Sequence, residues 1–290
     1  MKRSKADKIT DAVICAAFFL FALMMIYPIW YVLIGAFNEG LDYTAGGVYL
    51  LPRKFSLDNF QLIFADVRLW NAYGITVSRT VLGTLTALLF TSFVSYGMSR
   101  PELPFKRFFF WANIFTMFFG GGLVPFFLII KTLGLYDNYL LYIIPCAYSV
   151  YHMIIISNCF RSLPNDLHES AMVDGASEFR VYMSIYMPLS KPTIATVALW
   201  VAIGHWNSYF DTMVYTSNKS LWTLQFYMLK LINSASIPSG VTLPAEVFDR
   251  LTPQSVTYAA IIVSIIPVLL LFPFLSKYFE KGIMIGSLKG

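Results

Sequence analysis

Long apolar segments constrain this 290-residue chain more than any other feature of its sequence. Six of them are long enough for a helix of about 20 residues to cross the hydrocarbon core of a bilayer. A helix also satisfies the hydrogen bonds of its own backbone, which lipid cannot do. We therefore expect an all-α, polytopic membrane protein that forms a single transmembrane domain over 1–290. The six predicted spans are 12–37, 73–98, 108–130, 138–160, 193–215 and 256–279.

Composition excludes the soluble classes of protein. Apolar residues make up 57% of the chain and charged residues 13%, against roughly 25% charged in soluble domains. A soluble chain of this length could not bury so much apolar surface. Cys15, Cys146 and Cys159 lie in apolar runs, which excludes a secreted disulfide scaffold. The runs are also too long for the strands of an outer-membrane barrel.

The basic residues predict which side of the membrane each loop faces. With the amino terminus inside, the inner segments carry thirteen Lys and Arg and the outer segments seven, while Arg79 lies within a span. Cytoplasmic loops carry such an excess, and the two long outer loops, 38–72 and 216–255, are translocated largely regardless of charge. Both termini are therefore predicted to be cytoplasmic. This bias accounts for the net charge of +5 without a nucleic-acid partner.

The cytoplasmic loop 161–192 contains the signals of a helix–turn–helix. Pro164 suits the first turn of a helix, where a missing N–H is no loss. Gly175 permits the backbone conformation that ends a helix, and Ser177 is a typical N-cap for the next one. Pro188 and Pro192 are expected to end this second helix. The residues expected to form one apolar stripe along it are Phe179, Tyr182, Met183, Tyr186 and Met187.

The loop resembles the EAA loop of bacterial ABC importer permeases. That pattern reads EAA, three residues, G, nine residues, I, one residue, LP, and every spacing is kept here. The chain departs from it only at Ser170, which replaces Ala, and at Met187, which replaces Leu. The matching residues are Glu169, Ala171, Gly175, Ile185 and Pro188.

Further segments resemble the carbohydrate-uptake branch of that family, the MalG type. Asp174, Gly175, Ala176 and Ser177 continue the loop motif in the manner of this branch. Trp206 with Asn207, and the ending FEKGIMIGSLKG, also fit it. The ending together with LWTLQ at 221–225 is similar to the LplC/YtcP-type permeases. The stretch from Leu221 to Ile232 is expected to lie as a helix on the outer surface.

The resemblance implies the type I ABC importer permease fold and a function in sugar or oligosaccharide import across the bacterial cytoplasmic membrane. It implies a homologous second permease, two ATPase subunits at the cytoplasmic loop, and an extracytoplasmic solute-binding protein at the outer loops. The alternative is that the loop contacts no partner and packs only on the inner ends of the protein's own helices. The residues implied to couple to the ATPase are Glu169, Ser170, Ala171, Asp174, Gly175, Ala176, Ile185 and Pro188.

The chain is predicted to bind no cofactor or metal itself and to be no enzyme. No G-x-x-x-x-G-K-[ST] sequence occurs, so ATP and Mg²⁺ are expected on the partner ATPase. The run of glycines at 120–122 is expected to allow a helix bend or close packing. His168 and Glu169 begin a zinc-protease H-E-x-x-H motif, but Met172 replaces its second histidine. We expect His168 to be solvated or to contact a docking partner.

Arg79 and Asp211 are charges within predicted spans, and such charges usually face a bundle interior or a path. Arg79 either snorkels to the outer surface or pairs with an acid inside the bundle. Asn207 and Asp211 are i, i+4 on one predicted helix face, beside Trp206. These four residues are the predicted translocation path, and polar packing between helices is the alternative.

A second function fits the same spans, namely a stand-alone ion-coupled secondary transporter or channel. That class predicts paired intramembrane charges or inverted repeats. Arg79 and Asp211 are the candidate charges, and no repeat is evident. A membrane-embedded enzyme is a third possibility that lacks a recognisable catalytic cluster.

Overall fold

A computed structural model of the chain describes residues 5–287 except 235, 236, 239 and 242, with side chains described between 8 and 270. The described residues form helices, and their only β contact is a single bridge between Asn38 and Phe55. The all-α prediction is therefore confirmed for this part of the chain. The α-helices are α1 (Lys5–Ala36), α2 (Gly40–Thr44), α3 (Asp58–Ala65), α4 (Val67–Ser99), α5 (Lys106–Phe118), α6 (Leu123–Thr132), α7 (Val150–Arg161), α8 (Asp166–Val173), α9 (Glu178–Val181), α10 (Met187–Leu189), α11 (Lys191–Asn207), α12 (Phe210–Tyr215), α13 (Leu224–Ser234), α14 (Ala245–Phe248) and α15 (Pro253–Ser287).

Three of the described helices are long and apolar enough to cross a membrane without interruption. They contain Lys8–Ala36, Val67–Ser99 and Pro253–Leu270, and they correspond to the first, second and last predicted spans. Two further pairs of helices meet the same criteria only when each bent pair is taken together. Several membrane-crossing helices are thus present, and not all of them are continuous.

The third predicted span is bent at its glycines, as expected. Helices α5 and α6 meet at 112° across the break after Phe118. Gly122 precedes α6 with a φ of +83°, a conformation that costs glycine little and other residues much. The bend therefore follows directly from the residue type at this position.

The prediction of a continuous fourth span over 138–160 is wrong. This segment contains a short 3₁₀ helix, Tyr139–Tyr142, and becomes α-helical only in α7. Pro145 disfavours a helical conformation at the residue before it and has no N–H to donate. Ser149 then caps α7, since its hydroxyl accepts a hydrogen bond from the N–H of His152. Helix formation thus restarts at Val150.

The predicted fifth span, 193–215, is also interrupted. Helix α11 ends at Asn207, Ser208 is extended with φ −74° and ψ 129°, and α12 begins at Phe210. The expectation that Asn207 and Asp211 share one helix face is therefore wrong, because the helix that would align them breaks between them.

The described chain divides into two compact units, of which the first contains Met1–Leu69 and Met228–Pro267. Its polar centre is Asn59, which is fully buried. The Asn59 amide donates to the carbonyl oxygens of Ala36 and Asn38 at 3.0 and 2.9 Å, and its Oδ1 accepts from the Ser255 hydroxyl at 2.7 Å. A buried amide with these partners holds three chain segments together.

The second unit contains Trp70–Tyr227 and Val268–Gly290. One of its cores is formed where the loop 161–192 packs on α4 and α7. Tyr96 of α4 lies against Phe160, Tyr182 and Tyr186 with ring centroids 5.0–6.4 Å apart. Aromatic pairs at such separations add to the stability from burial. This core anchors the loop to two membrane helices of the same unit.

The outer stretch from Leu221 to Ile232 is helical in part, since α13 begins at Leu224. Its place on the outer side of the membrane stays a prediction, and the helix has an exposed face at Lys230 and Ile232. Leu224, Phe226 and Tyr227 are all buried, because the apolar residues of this helix pack into the protein.

Candidate functional site

The loop 161–192, which is predicted to be cytoplasmic, forms a tight helical hairpin around Gly175. The N–H of Ala176 donates to the carbonyl of Ala171, and that of Gly175 to the carbonyl of Met172, both at 3.0 Å. Gly175 has a φ of +79°. These two bonds and the positive φ form a Schellman motif, which satisfies the free carbonyls at the end of α8. The Ser177 hydroxyl then accepts from the N–H of Arg180 and caps α9, so both predicted signals are confirmed.

Two proline assignments are wrong. Pro164 does not lie within a helical turn, because α8 begins at Asp166 after Asn165, and Pro164 only accepts a bond from the N–H of Leu167 at 3.3 Å. Pro188 does not end the second helix, which continues through α10 to Leu189. Pro192 lies in the first turn of α11, where its missing N–H is tolerated.

The apolar stripe predicted for the second helix does not form a single buried face. Tyr182 and Tyr186 are buried, whereas Phe179 is 62% and Met183 43% exposed. The segment Tyr182–Tyr186 between α9 and α10 is a π-helical turn, which changes the register of side chains along the helix. Pro188 follows this turn and cannot donate the backbone bond that a regular α-helix needs there. Phe179 and Met183 therefore face outwards.

Half of the predicted coupling residues surround one cavity of about 240 Å³ in this hairpin. Ala171, Asp174, Ala176 and Ile185 line it, together with Arg180 and Ser184. Glu169, Ser170 and Pro188 are exposed elsewhere on the hairpin. The Glu169 carboxylate accepts from the Asn165 amide at 2.8 Å. The cavity offers a partner small side chains, the acid Asp174 and the base Arg180. Its role in coupling stays a prediction.

His168 is buried, so the expectation of a solvated or docking residue is wrong. Its Nδ1 lies 2.9 Å from Nη2 of Arg100, and its Nε2 lies 3.0 Å from Oε1 of Glu178. An arginine only donates hydrogen bonds, so Nδ1 must accept and the ring hydrogen must be on Nε2. In this arrangement a neutral imidazole joins a cation to an anion.

The same cluster connects the loop to the end of α4. Nη1 of Arg100 donates to the Tyr186 hydroxyl at 3.0 Å, and the Tyr96 hydroxyl donates to the Glu178 carboxylate. Burial raises the pKa of Glu178, but the hydrogen bonds from Tyr96 and His168 outweigh it and leave this pKa below its usual value. Sequence reasoning missed this cluster because Arg100 was interpreted only as an orientation signal.

A second polar cluster joins α4, which is long and apolar enough to cross a membrane, to α12. Arg79 is 1% exposed, and its Nη2 and Nη1 lie 2.6 and 3.2 Å from the two carboxylate oxygens of Asp211. The guanidinium also lies over the ring of Tyr142, 4.4 Å from its centre. Arg79 thus faces the protein interior and does not snorkel to the outer surface.

Asp211 is positioned by the break between α11 and α12. Its Oδ1 accepts from the Ser208 hydroxyl and from the N–H of Thr212, each at 2.9 Å. A carboxylate in the first turn of a helix is also favoured by the helix dipole. Trp206 is buried against Tyr73, with ring centroids 6.2 Å apart, and Asn207 is exposed. The structure therefore brings together two of the four predicted path residues.

Among the described residues, no group of three or more His, Cys, Asp or Glu side chains could hold a metal ion. The three described cysteines form no disulfide; Cys15 and Cys146 are exposed, and Cys159 is half-buried.

Comparisons with known proteins cover nearly the whole chain. A family model described as "Binding-protein-dependent transport system inner membrane component" matches residues 2–285. "Protein LplC" of Bacillus subtilis (strain 168) is 34% identical over 294 residues, covering 100% of this chain and 98% of the relative. The "Polygalacturonan/rhamnogalacturonan transport system permease protein YtcP" of the same strain is 33% identical over 284 residues, covering 98% and 99%.

A solved structure supports the same assignment. The fold is similar, with a TM-score of 0.88 and 32% identity, to a chain of a bacterial ABC transporter involved in the import of the acidic polysaccharide alginate. The match covers 96% of this chain and 99% of that one. The chain therefore belongs to the binding-protein-dependent transport system inner membrane component family, whose members are permeases of ABC importers.

Proposed function

We propose that this chain is one permease subunit of an ATP-driven importer for a saccharide. The observation that carries this proposal is the end-to-end similarity to YtcP and to the alginate importer chain, at 33% and 32% identity. Both of those proteins are named for polysaccharide transport. Permeases for arabinooligosaccharides and for diacetylchitobiose are also similar over nearly the whole chain.

The topology that goes with this function has six membrane crossings and both termini in the bacterial cytoplasm. The excess of Lys and Arg on the inner segments supports this orientation. The fourth crossing would be a broken one that combines Tyr139–Tyr142 with α7. The chain would then be a single transmembrane domain of type I ABC importer fold in the cytoplasmic membrane.

This chain would pair with a homologous second permease, and two ATPase subunits would dock on the cytoplasmic side of the pair. The hairpin would be the contact of this chain with the ATPase. Its exposed Phe179 and Met183 offer apolar contact area, and the cavity at Ala171 and Ala176 would accept a partner side chain. ATP and Mg²⁺ would be bound by the ATPase, and an extracytoplasmic solute-binding protein would dock on the outer loops. Arg79, Trp206, Asn207 and Asp211 stay the predicted translocation path.

Reconstitution tests the proposal directly. The chain, its partner permease and the ATPase would be placed in proteoliposomes, with binding protein outside and ATP inside. We expect saccharide uptake only when both the binding protein and ATP are present. Uptake without ATP would contradict the proposal and favour the stand-alone ion-coupled transporter.

A pair of charge variants tests the coupling hairpin. Ala176→Glu places a carboxylate at the cavity, whereas Ser162→Glu adds the same charge at an exposed position outside the motif. We expect only Ala176→Glu to lose ATPase during co-purification. Equal ATPase recovery with the two variants would contradict coupling through this cavity.

A further inference from the structure

Two breaks in the membrane-crossing helices line the same cavity, which has a volume of about 300 Å³. One break is the irregular segment from Cys146 to Ser149, and the other is at Ser208. Non-helical backbone at membrane depth is tolerated where it is buried in protein or lines a water-filled cavity. Transporters build their substrate sites from such discontinuous helices. The cavity therefore lies at the kind of backbone break from which transporters build substrate sites.

One wall of the cavity is polar. Arg79 lies here, and its Nε has no hydrogen-bond partner among the described residues although the side chain is 99% buried. His205 is also a lining residue, and its imidazole lies directly over Gly83 of α4. A Cβ at Gly83 would be 2.5 Å from Nε2 of His205, so only glycine allows the ring to lie there. Ser149 and Ser208 add hydroxyl groups to this wall.

Other lining residues offer a flat aromatic surface. Trp200 and His152 both line the cavity, and their rings are stacked, with centroids 6.2 Å apart and planes inclined by 25°. Both side chains are half-buried, so part of each remains accessible. A flat apolar surface and several hydrogen-bonding groups in one cavity are complementary to a sugar ring, which has C–H groups on its faces and hydroxyls at its edge.

We propose that this cavity binds one uncharged sugar residue of the transported saccharide, with the ring face on Trp200 and its hydroxyls towards His205, Ser149 and Ser208. The charge of Arg79 is balanced by Asp211, so the cavity does not favour a carboxylate. A volume near 300 Å³ is at the small end of ligand pockets and suits one residue rather than a whole oligosaccharide.

This inference rests on the proposed saccharide function and refines it. The predicted path residues Trp206 and Asn207 do not line the cavity. Instead the site uses two other residues of α11, His205 directly before them and Trp200 more than one turn earlier. The subunit would therefore contact its cargo itself through residues that the resemblance did not indicate.

Cys146 lines the cavity and provides a test that does not depend on transport. The protein would carry Cys15→Ser and Cys159→Ser, in complex with its partner subunits in nanodiscs, and Cys146 would be modified with a charged, water-soluble methanethiosulfonate. Galactotriose would be the neutral probe and trigalacturonate the acidic one. We expect modification without sugar, and about threefold slower modification when galactotriose is present at twice its dissociation constant.

Variants of Trp200 separate binding from folding. Trp200→Leu should abolish the protection by galactotriose and leave the unprotected modification rate unchanged, whereas Trp200→Phe should retain protection. Trp111→Leu, on α5, is the matched control and should behave like the parent protein. An unreactive Cys146, or protection that survives Trp200→Leu, would overturn the proposal. Stronger protection by trigalacturonate would overturn the assignment of an uncharged ligand.

ATP-driven uptake of the same sugars distinguishes failure of the site from failure of the proposed function. Uptake without protection of Cys146 would exclude the cavity and leave the importer function standing. Protection without ATP-driven uptake would support the binding site and contradict the importer function.

Discussion

Nη2 of Arg100 lies 2.9 Å from Nδ1 of His168, at the junction between the end of α4 and the helical hairpin of the loop 161–192. Both side chains are buried. The opposite ring nitrogen of His168 bonds Glu178 at the start of α9. One imidazole therefore connects three segments, and any displacement of the hairpin must move the end of α4 with it or break these bonds.

Replacing His168 with Gln should preserve this connection. The Gln side chain has a carbonyl oxygen that would accept from Arg100 and an amide that would donate to Glu178, as the imidazole does. His168→Leu offers neither and leaves buried polar groups without a partner, which costs about 1–3 kcal/mol. Thermal unfolding in detergent would measure the difference. Equal stability of the two variants would contradict a role for these hydrogen bonds.

Acidification should loosen the hairpin through Glu178. Its pKa is lowered in the folded protein, because hydrogen bonds from Tyr96 and His168 favour the carboxylate despite its burial. The stability that the charged Glu178 gives the folded hairpin is therefore fully present above the usual Glu pKa of about 4.5 and is lost as the pH falls below it. Proteolysis of the hairpin as a function of pH would detect the loss. Glu178→Gln should remove this dependence, and an unchanged pH profile in that variant would contradict the assignment.

Removing one member of the Arg79–Asp211 pair should cost more than removing both. Asp211→Asn leaves a guanidinium that is 1% exposed without its counter-charge, at a cost of about 3–5 kcal/mol. The double variant Arg79→Met, Asp211→Asn removes the charge as well and should recover much of that loss. Unfolding of the four proteins of a double-mutant cycle measures the coupling. Additive effects would show that the pair contributes no net interaction.

Gly175 should tolerate Asn but not Val. Its φ of +79° is accessible to Asn at small cost, whereas a β-branched residue is strained there. No neighbouring atom lies within 4 Å of a Cβ at this position, so strain and not a clash would cause the loss. We expect Gly175→Val to lose ATPase association, and Gly175→Asn to keep it.

Gly134 provides the control for this experiment. It has a φ of +68° and equally open surroundings in a turn outside the coupling hairpin. Gly134→Val should strain the backbone to a similar degree and leave ATPase association intact. Loss of association in both Val variants would mean that general destabilisation, not the hairpin, is responsible.

Hydropathy predicted α1, α4 and α15 because a long apolar run in lipid satisfies its backbone hydrogen bonds by forming a helix, and α1 does so although it contains Pro28. It did not predict the breaks at Pro145 and Ser208, since an average over 20 residues does not respond to one missing donor or one extended residue. The bend at the glycines of 120–122 could be predicted from the sequence, because glycine readily adopts backbone conformations that interrupt a helix.

The two polar clusters differ in how far the sequence reveals them. A charge within an apolar span needs a partner, so Arg79 and Asp211 were identifiable from sequence, even though the predicted span that contains Asp211 is broken at Ser208. Arg100 and His168 lie in a basic, polar region where charges normally face water. Only the three-dimensional packing of the hairpin on α4 makes them buried partners.

The 112° bend between α5 and α6 has a consequence for how the chain enters the bilayer. Their 13 and 10 residues give lengths of about 20 and 15 Å, each shorter than a hydrocarbon core of about 30 Å. Neither half would remain inserted by itself during synthesis. The two halves must therefore enter the bilayer together, and the free backbone groups at their hinge need cover from neighbouring helices, because lipid cannot satisfy them.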